Sequence, residues 1–362
     1  MNIKGSITGI RYKVLLSEDL EEYGIQDLDI NNTPSVFLID NGGSKYAVSK
    51  WVSPKRTRSY PFERVYKTLN KSKKITIIPI IKDEGAKGDR DFLQWDTVSL
   101  LSLLDVYVIF SYYNSATSHN GKITNQKFDN LHVISKIKEI ADYHSSALHW
   151  NLNELKGLYP LLEKAKASYA QIALDTKIKM HNENGIDGLM QRISQNIDEF
   201  MQFSRDKAAQ AQEREVNTIQ PKEALFSNTK SKITITNYLG GKYFLTVDET
   251  ELKESTLYLI EGKHSKHSKL PSKGDIKDGL LKMILYSNLC DVSVNGESVA
   301  LQAQLLLTSS KLRGFLFSTS TEEEQSSFFT TNDFSSAQQL FVETLFKEAE
   351  VNNFEILIKQ SL

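Results

Sequence analysis

The chain has 362 residues, 40% hydrophobic and 25% charged, a balance that supplies a sizeable core and argues against disorder. Its 44 Lys and Arg against 45 Asp and Glu leave a net charge of −1, so any nucleic-acid face must be local, with acid segregated elsewhere. A lone cysteine, Cys290, excludes an internal disulfide and any Cys/His zinc spacing.

No apolar run reaches the roughly 18 residues of a membrane span, and the start, MNIKGSITGIRYKV, lacks the apolar stretch of a signal peptide. The expectation is a soluble cytoplasmic protein, without a membrane partner, of two or three domains.

Residues 1–124 read as a mixed α/β region rich in strands. Val36–Ile39 and Tyr46–Val52 flank Asn41-Gly42-Gly43, a hairpin turn signal. Between Asp40 and Glu63 the chain has no acid. It carries Lys50, Lys55, Arg56 and Arg58 among Trp51, Tyr60 and Phe62. Cations interleaved with aromatics suit DNA phosphates and guanine edges, which makes this segment the expected recognition element; a solvated loop is the rival reading. Ile75–Ile81 and Val106–Phe110 have the length of buried strands, and Trp95–Leu104 between them reads as a helix. Asp83, Glu84, Asp89, Asp91 and Asp96 form an acidic cluster, an alternative place for a metal.

Residues 125–216 read as a helical connector. Leu131, Ile134, Ile137, Ile140 and Ala141 recur at helical spacing. Leu155, Leu158, Leu162 and Ala165 do the same, with Pro160 expected to kink or interrupt that helix. Ile186-Asp187-Gly188 reads as a break. A last helix through Ile193, Ile197, Phe200 and Phe203 runs into the polar stretch Arg205–Glu215.

Residues 217–362 read as the catalytic domain. Strands are expected at Lys232–Tyr238, Lys242–Val247 and Thr256–Glu261, the first two joined by Gly240-Gly241. A helix at Ile276–Asn288 follows, then a strand pair at Leu301–Leu307 and Gly314–Ser318. A Ser/Thr/Glu-rich loop near 318–327, a helix at Ser335–Ala349 and a strand at Phe354–Lys359 complete the domain.

The chemistry concentrates at Thr256-Leu-Tyr-Leu-Ile-Glu-Gly-Lys-His264. An apolar strand reaches Glu261, and Lys263 two residues on shares its face. If Lys242–Val247 pairs with this strand as a hairpin, Asp248 approaches Glu261. Two carboxylates and an ammonium are costly together unless a cation unites them, and Mg²⁺ suits hard oxygen ligands while keeping waters for chemistry. Five acid-x-Lys triplets occur, at Glu154, Asp175, Glu251, Glu261 and Asp275; only Glu261 ends a β-rich apolar run with a strand-end acid upstream.

This arrangement resembles the PD-(D/E)XK nuclease superfamily, in which an acid at a strand end precedes an acid, any residue and Lys on the next strand. The resemblance covers roughly residues 195–320. The chain length and the large N-terminal region resemble a type II restriction endonuclease. The resemblance implies a mixed sheet flanked by helices in the C-terminal domain. It further implies Asp248 and Glu261 as metal ligands, Lys263 as their catalytic partner, double-stranded DNA as substrate and 5′-phosphate products. Val247 stands where the family usually has Pro, which keeps Glu249 and Glu251 as rival first acids.

Nearby polar residues extend the candidate site. His264, Lys266 and His267 form a basic loop suited to phosphates, or a solvated loop. Leu280, Met283 and Ile284 read as core, whereas Lys282 and Tyr286, four apart, share a face as possible site neighbours. Glu213, Glu215 or Glu223 would supply an acid from the preceding helix. No Gly-x4-Gly-Lys-Ser/Thr or Gly-x-Ser-x-Gly occurs, which excludes P-loop translocation and a nucleophile-elbow hydrolase. The expected protein is therefore a Mg²⁺-dependent, site-specific endonuclease acting as a homodimer. The alternatives are a structure-specific or defence nuclease, and an inactive DNA-binding protein of nuclease-like fold.

Overall fold

The computed structural model describes residues 2–51, 62–195, 197–216 and 231–361. It is a mixed α/β protein with several sheets flanked by helices. Its first strand, β1 (Asn2–Ile7), buries alternate residues and pairs in parallel with the distant residues 232–237. That pairing closes one of two units, Met1–Glu18 with Ala208–Leu362; the other is Asp19–Lys207.

The Asp19–Lys207 unit is built on β2 (Glu22–Gly24), β3 (Val36–Asp40), β4 (Lys45–Lys50), β5 (Lys73–Pro79) and, after further elements, a strand at Val106–Ser111. Helix α1 (Phe62–Tyr66) precedes β5. β3 and β4 form the expected antiparallel hairpin, with Gly42 and Gly43 at φ 66° and 110°, a conformation glycine adopts without a Cβ penalty. The short strands β6 (Ile81–Asp83) and β7 (Arg90–Phe92) pair with each other. Helix α2 (Trp95–Leu103) then crosses to β8 (Val106–Ser111), parallel to β5, and both α2 and β8 are wholly buried. This is the expected strand–helix–strand unit.

Strands β9 (Tyr113–His119) and β10 (Lys122–Phe128) form a hairpin over Asn120 and Gly121, at φ 50° and 74°. Helices α3 (Asn130–Ala141), α4 (Ala147–Lys156), α5 (Leu158–Thr176), α6 (Asn184–Gln195) and α7 (Ile197–Val216) follow. β8 is an edge strand, and α4 closes it: Asn151 accepts from the Val108 N–H at 2.7 Å and donates to the Val106 carbonyl at 2.9 Å. Two expectations change here. The interruption near Pro160 falls at Gly157, and Pro160 sits in the first turn of α5, where a missing N–H leaves no helical bond unmade. Ile186-Asp187-Gly188 breaks nothing and lies inside α6.

In the other unit, β1, β11 (Ser231–Asn237) and β12 (Lys242–Val247) share one sheet. A second sheet contains β13 (Glu249–Lys253) and β14 (Thr256–Ser265). Helix α8 (Lys273–Ser287) leads to β15 (Cys290–Val294) and β16 (Glu297–Ser298), which complete the first sheet in the order β12-β11-β1-β15-β16. β17 (Ala300–Ser309) returns beside β14 in parallel. Then come β18 (Phe315–Phe317), α9 (Glu322–Thr331), α10 (Ser336–Val351) and β19 (Glu355–Gln360), giving the order β13-β14-β17-β19-β18.

The segments at 301–307 and 314–318 do not pair, because β19 lies between them, parallel to β17 and antiparallel to β18. Much of the supposed loop at 318–327 is α9, begun by a capping box in which Thr321 and Glu324 satisfy each other's backbone N–H groups. An extended segment after β1 is held by side chains: Asn288 and Asn352 bond the backbones of Arg11 and Lys13, and buried Glu348 accepts from the N–H groups of Leu15 and Leu16.

Candidate active site

The chain leaves one sheet and enters another within a single residue, Asp248, between β12 and β13. The expected hairpin between 242–247 and 256–261 is replaced: β12 pairs with β11, and β13 takes the place beside β14. Asp248 nevertheless reaches Glu261. Glu249 pairs with Ile260, so one step outward along the antiparallel register sets Asp248 opposite Glu261. Its Oδ2 accepts the Gly262 N–H at 3.0 Å. Of the rival acids, Glu251 is exposed and pairs with Lys253 at 2.9 Å, while Glu249 sits opposite Ile260.

Glu261 is 1% exposed and touches two ammonium groups. Its Oε1 lies 3.0 Å from Lys263 Nζ and 2.8 Å from Lys282 Nζ, and Lys282 also donates to Oε2 at 2.9 Å. Lys263 is held from the other side by Asp278 Oδ2 at 2.7 Å. The fully buried Tyr286 follows one turn after Lys282, close enough to act on its charge. The site is therefore wider than the expected triad. Asp248, Glu261 and Lys263 come together as expected, Lys282 joins them directly, and Asp278 was missed. The available signal was the stripe at 278, 282 and 286, polar positions four apart on a helix whose Leu280, Met283 and Ile284 are buried core, as expected.

The electrostatics follow from burial and proximity. Burial, then the charge of Glu261, pushes the Asp248 carboxyl up to about 6. Burial also opposes ionisation of Glu261, but Lys282 and Lys263 more than reverse it and hold that carboxyl below its ordinary value. Lys282 stays protonated well above the usual lysine range: burial alone would lower it, and Glu261 first among its neighbours raises it. Burial raises Asp278 despite Lys263 beside it.

Packing supports the geometry. α8 carries Gly279 against β14 and β17, where a Cβ would lie 2.7 Å from Leu305 Cδ1 and 3.3 Å from Lys263 Cε. The glycine leaves room for the stem of Lys263.

Among the described residues, no group of three or more His, Cys, Asp and Glu side chains is placed to hold a metal ion. Asp248 and Glu261 form an oxygen pair, not a closed cage. That donor set fits a hard cation such as Mg²⁺, which retains waters and is commonly held by one or two carboxylates plus substrate phosphate. Burial and the neighbouring Glu261 charge, which raise the Asp248 carboxyl, are a second reason a cation would be favoured there.

His264 Nδ1 lies 3.0 Å from Thr308 Oγ1, while Lys266 and His267 are exposed beyond the end of β14. Lys50 directs its ammonium inward, donating to the carbonyls of Ile30 and Thr33 at 2.7 Å each, and burial lowers its pKa to about 8. Lys55, Arg56, Arg58 and Glu223 lie outside the described residues, and of Glu213 and Glu215 only the helical backbone is described.

The acidic cluster of the Asp19–Lys207 unit places no three of its acids to hold a metal ion, although the Glu84 N–H donates to the Asp89 carbonyl at 2.9 Å. Asp83 is buried and pairs with His181 at 2.8 Å, Glu84 pairs with Lys82 at 2.7 Å, and Asp91 and Asp96 are buried. Among the described residues, no helix is long and apolar enough to cross a membrane. No protein-family model, curated protein or solved structure matches the chain.

Proposed function

We propose that this protein is a metal-dependent endonuclease that hydrolyses phosphodiester bonds in double-stranded DNA, with a PD-(D/E)XK-like core in the unit containing residues 208–362. One observation carries the reading: Asp248 faces buried Glu261, whose carboxylate touches Lys263 two residues along the same strand. Parallel strands β14, β17 and β19, the crossing helix α8 and the added antiparallel strand β13 agree with such a core.

Asp248 and Glu261 would hold Mg²⁺, which when bound polarises the phosphate and acidifies a bound water. The chain's own groups do the rest. Lys263, fixed between Asp278 and Glu261, orients the attacking water and offsets charge developing on the phosphate. Burial of the cluster strengthens these interactions, because little water screens them. Exposed Lys266 and His267, with Lys55, Arg56 and Arg58 of the N-terminal region, supply phosphate contacts. Site-specific cutting by a homodimer matches the restriction-enzyme form of this reading.

A second reading, a DNA-binding protein that does not cut, is favoured by one observation: two ammonium groups already satisfy Glu261 without any metal. Incubating plasmid with the protein and Mg²⁺ separates the possibilities. Discrete fragments mean a restriction endonuclease. A smear means a nuclease without sequence specificity. Intact plasmid with retarded mobility means a binder.

A further inference from the structure

The cluster holds one more cation than the triad of Asp248, Glu261 and Lys263 requires. Lys263 has two carboxylate partners, Asp278 at 2.7 Å and Glu261 at 3.0 Å. Lys282 directs its hydrogen bonds to Glu261 alone, at 2.8 Å to one oxygen and 2.9 Å to the other. Its side chain is 17% exposed, on a helix whose flanking residues are buried core. The ammonium therefore has little freedom to swing into solvent.

An ammonium bridging both oxygens of a carboxylate takes a lone pair on each and repels a second cation brought to the same group. The two compete for Glu261. Lys263 keeps Asp278 if Glu261 is taken from it, whereas Lys282 loses the acceptor of both its hydrogen bonds. A largely buried cation stripped of its partner is costly. Asp248 and Asp278 act on the charge of Lys282, but among the described residues neither takes a hydrogen bond from it, so an anion entering the same site, which a nuclease substrate brings, is what replaces the lost acceptor.

We propose that Lys282 is an internal counter-ion that links metal binding to phosphodiester binding: with a divalent cation on Glu261, Lys282 would give up that carboxylate and its ammonium would hold the substrate phosphate. This rests on the reading of Asp248 and Glu261 as metal ligands. It divides the two lysines by partner. Lys263, retained by Asp278, keeps its position throughout; Lys282 changes partner. Metal and DNA then favour each other's binding, because each removes a cost that the other creates.

The test uses Ca²⁺ as the metal probe and linear plasmid DNA as the duplex probe, with no turnover required. Calorimetry without DNA gives the Ca²⁺ affinity of the intact chain, of Lys282→Gln and of Lys282→Arg. Removing the competing ammonium should tighten Ca²⁺ binding in Lys282→Gln by roughly tenfold, within the usual span of coupling between ligands of one protein. Arginine, whose planar fork grips a carboxylate at two points, should weaken it below the unmodified protein. The gain in duplex affinity on adding Ca²⁺ should be larger in the unmodified protein than in Lys282→Gln, which keeps only the part owed to the metal's own contact with the phosphate.

Equal Ca²⁺ affinities in all three proteins, or an undiminished Ca²⁺-dependent gain in Lys282→Gln, overturn the role of Lys282 and leave the nuclease reading intact. No Ca²⁺ binding by any of them overturns the metal reading and this inference together. If Lys282→Gln does not melt cooperatively, Lys282→Arg decides alone: weaker Ca²⁺ binding supports the competition and unchanged binding overturns it.

Discussion

Gly279 of α8 lies against the stem of Lys263, and an added Cβ would stand 3.3 Å from Lys263 Cε and 2.7 Å from buried Leu305 Cδ1. The helix passes close enough to set the lysine only because this position has no side chain. Gly279→Ala should therefore lower the melting temperature, since overpacking of about 1–3 kcal/mol outweighs the roughly 1 kcal/mol that alanine gains in a helix. Any cleavage activity should fall with it. Gly188→Ala in α6 is the control: nothing lies within 4 Å of its Cβ, so it should be neutral or slightly stabilising. Equal melting shifts of the same sign in both variants would remove the steric argument.

The metal-binding acids are tested by removal. EDTA should abolish cleavage and Mg²⁺ should restore it. Asp248→Asn and Glu261→Gln should each lose most activity, by roughly 10²-fold or more if they act on transition-state charge. Glu251→Gln should cleave normally, because Glu251 is exposed and paired with Lys253. An active Asp248→Asn beside a dead Glu249→Gln or Glu251→Gln would show that the first acid is misassigned.

Asp248 also makes metal binding pH-dependent. Its carboxyl, raised from an ordinary 3.8 to about 6, holds its proton longer in the folded chain than in the unfolded one. In the metal-free protein this costs stability as pH rises from about 4 through about 6, and the cost is fully present above that window. Metal binding runs the other way, because it needs the ionised form. Calorimetry in buffers of different ionisation heat should find a fraction of a proton released on Ca²⁺ binding near pH 6 and almost none at pH 8. Asp248→Asn should melt higher than the unmodified protein at pH 8 and level with it at pH 4. Proton release that does not change between pH 6 and pH 8 would sink this assignment.

Lys263→Ala separates chemistry from binding. Its ammonium matters most where charge develops, so the cleavage rate should drop roughly 10²-fold or more. Affinity for duplex measured in Ca²⁺ should change far less, since one phosphate contact is a small part of a many-contact interface. Cleavage at a near-normal rate under saturating protein would show that Glu261-Gly262-Lys263 is not the centre.

Replacing Lys55, Arg56 and Arg58 together with Ala should weaken DNA binding and flatten its salt dependence, because fewer counterions are released. Lys50→Ala should act differently. Its ammonium is bonded to the carbonyls of Ile30 and Thr33, so the loss should appear as reduced stability with an unchanged salt slope. An unaltered slope in the triple variant would return that segment to a solvated loop.

Local pattern alone determined the mixed α/β class, most strands and helices, and the strand carrying Glu261 and Lys263. These depend on periodicity and turn chemistry within short windows: Asn41-Gly42-Gly43 dictates a hairpin wherever it sits, and a period of two puts residues 261 and 263 on one face. The same kind of local signal stands at Asn120-Gly121 and at the capping box of Thr321 and Glu324.

Pairing between distant segments was not legible. Gly240-Gly241 does announce that β11 and β12 turn onto each other, but the sequence does not say that β1 joins β11, that β13 takes the place beside β14, or that β19 separates β17 from β18. Nor does it say that Lys282 reaches Glu261 from a crossing helix, 21 positions along the chain. Strand partners and helix placement are chosen by burying apolar faces against one another over the whole unit, and the electrostatics of a site depend on the distances which that burial imposes. Residue types could nominate Asp248 and Lys263, but only the packed unit decided that a second lysine shares their carboxylate.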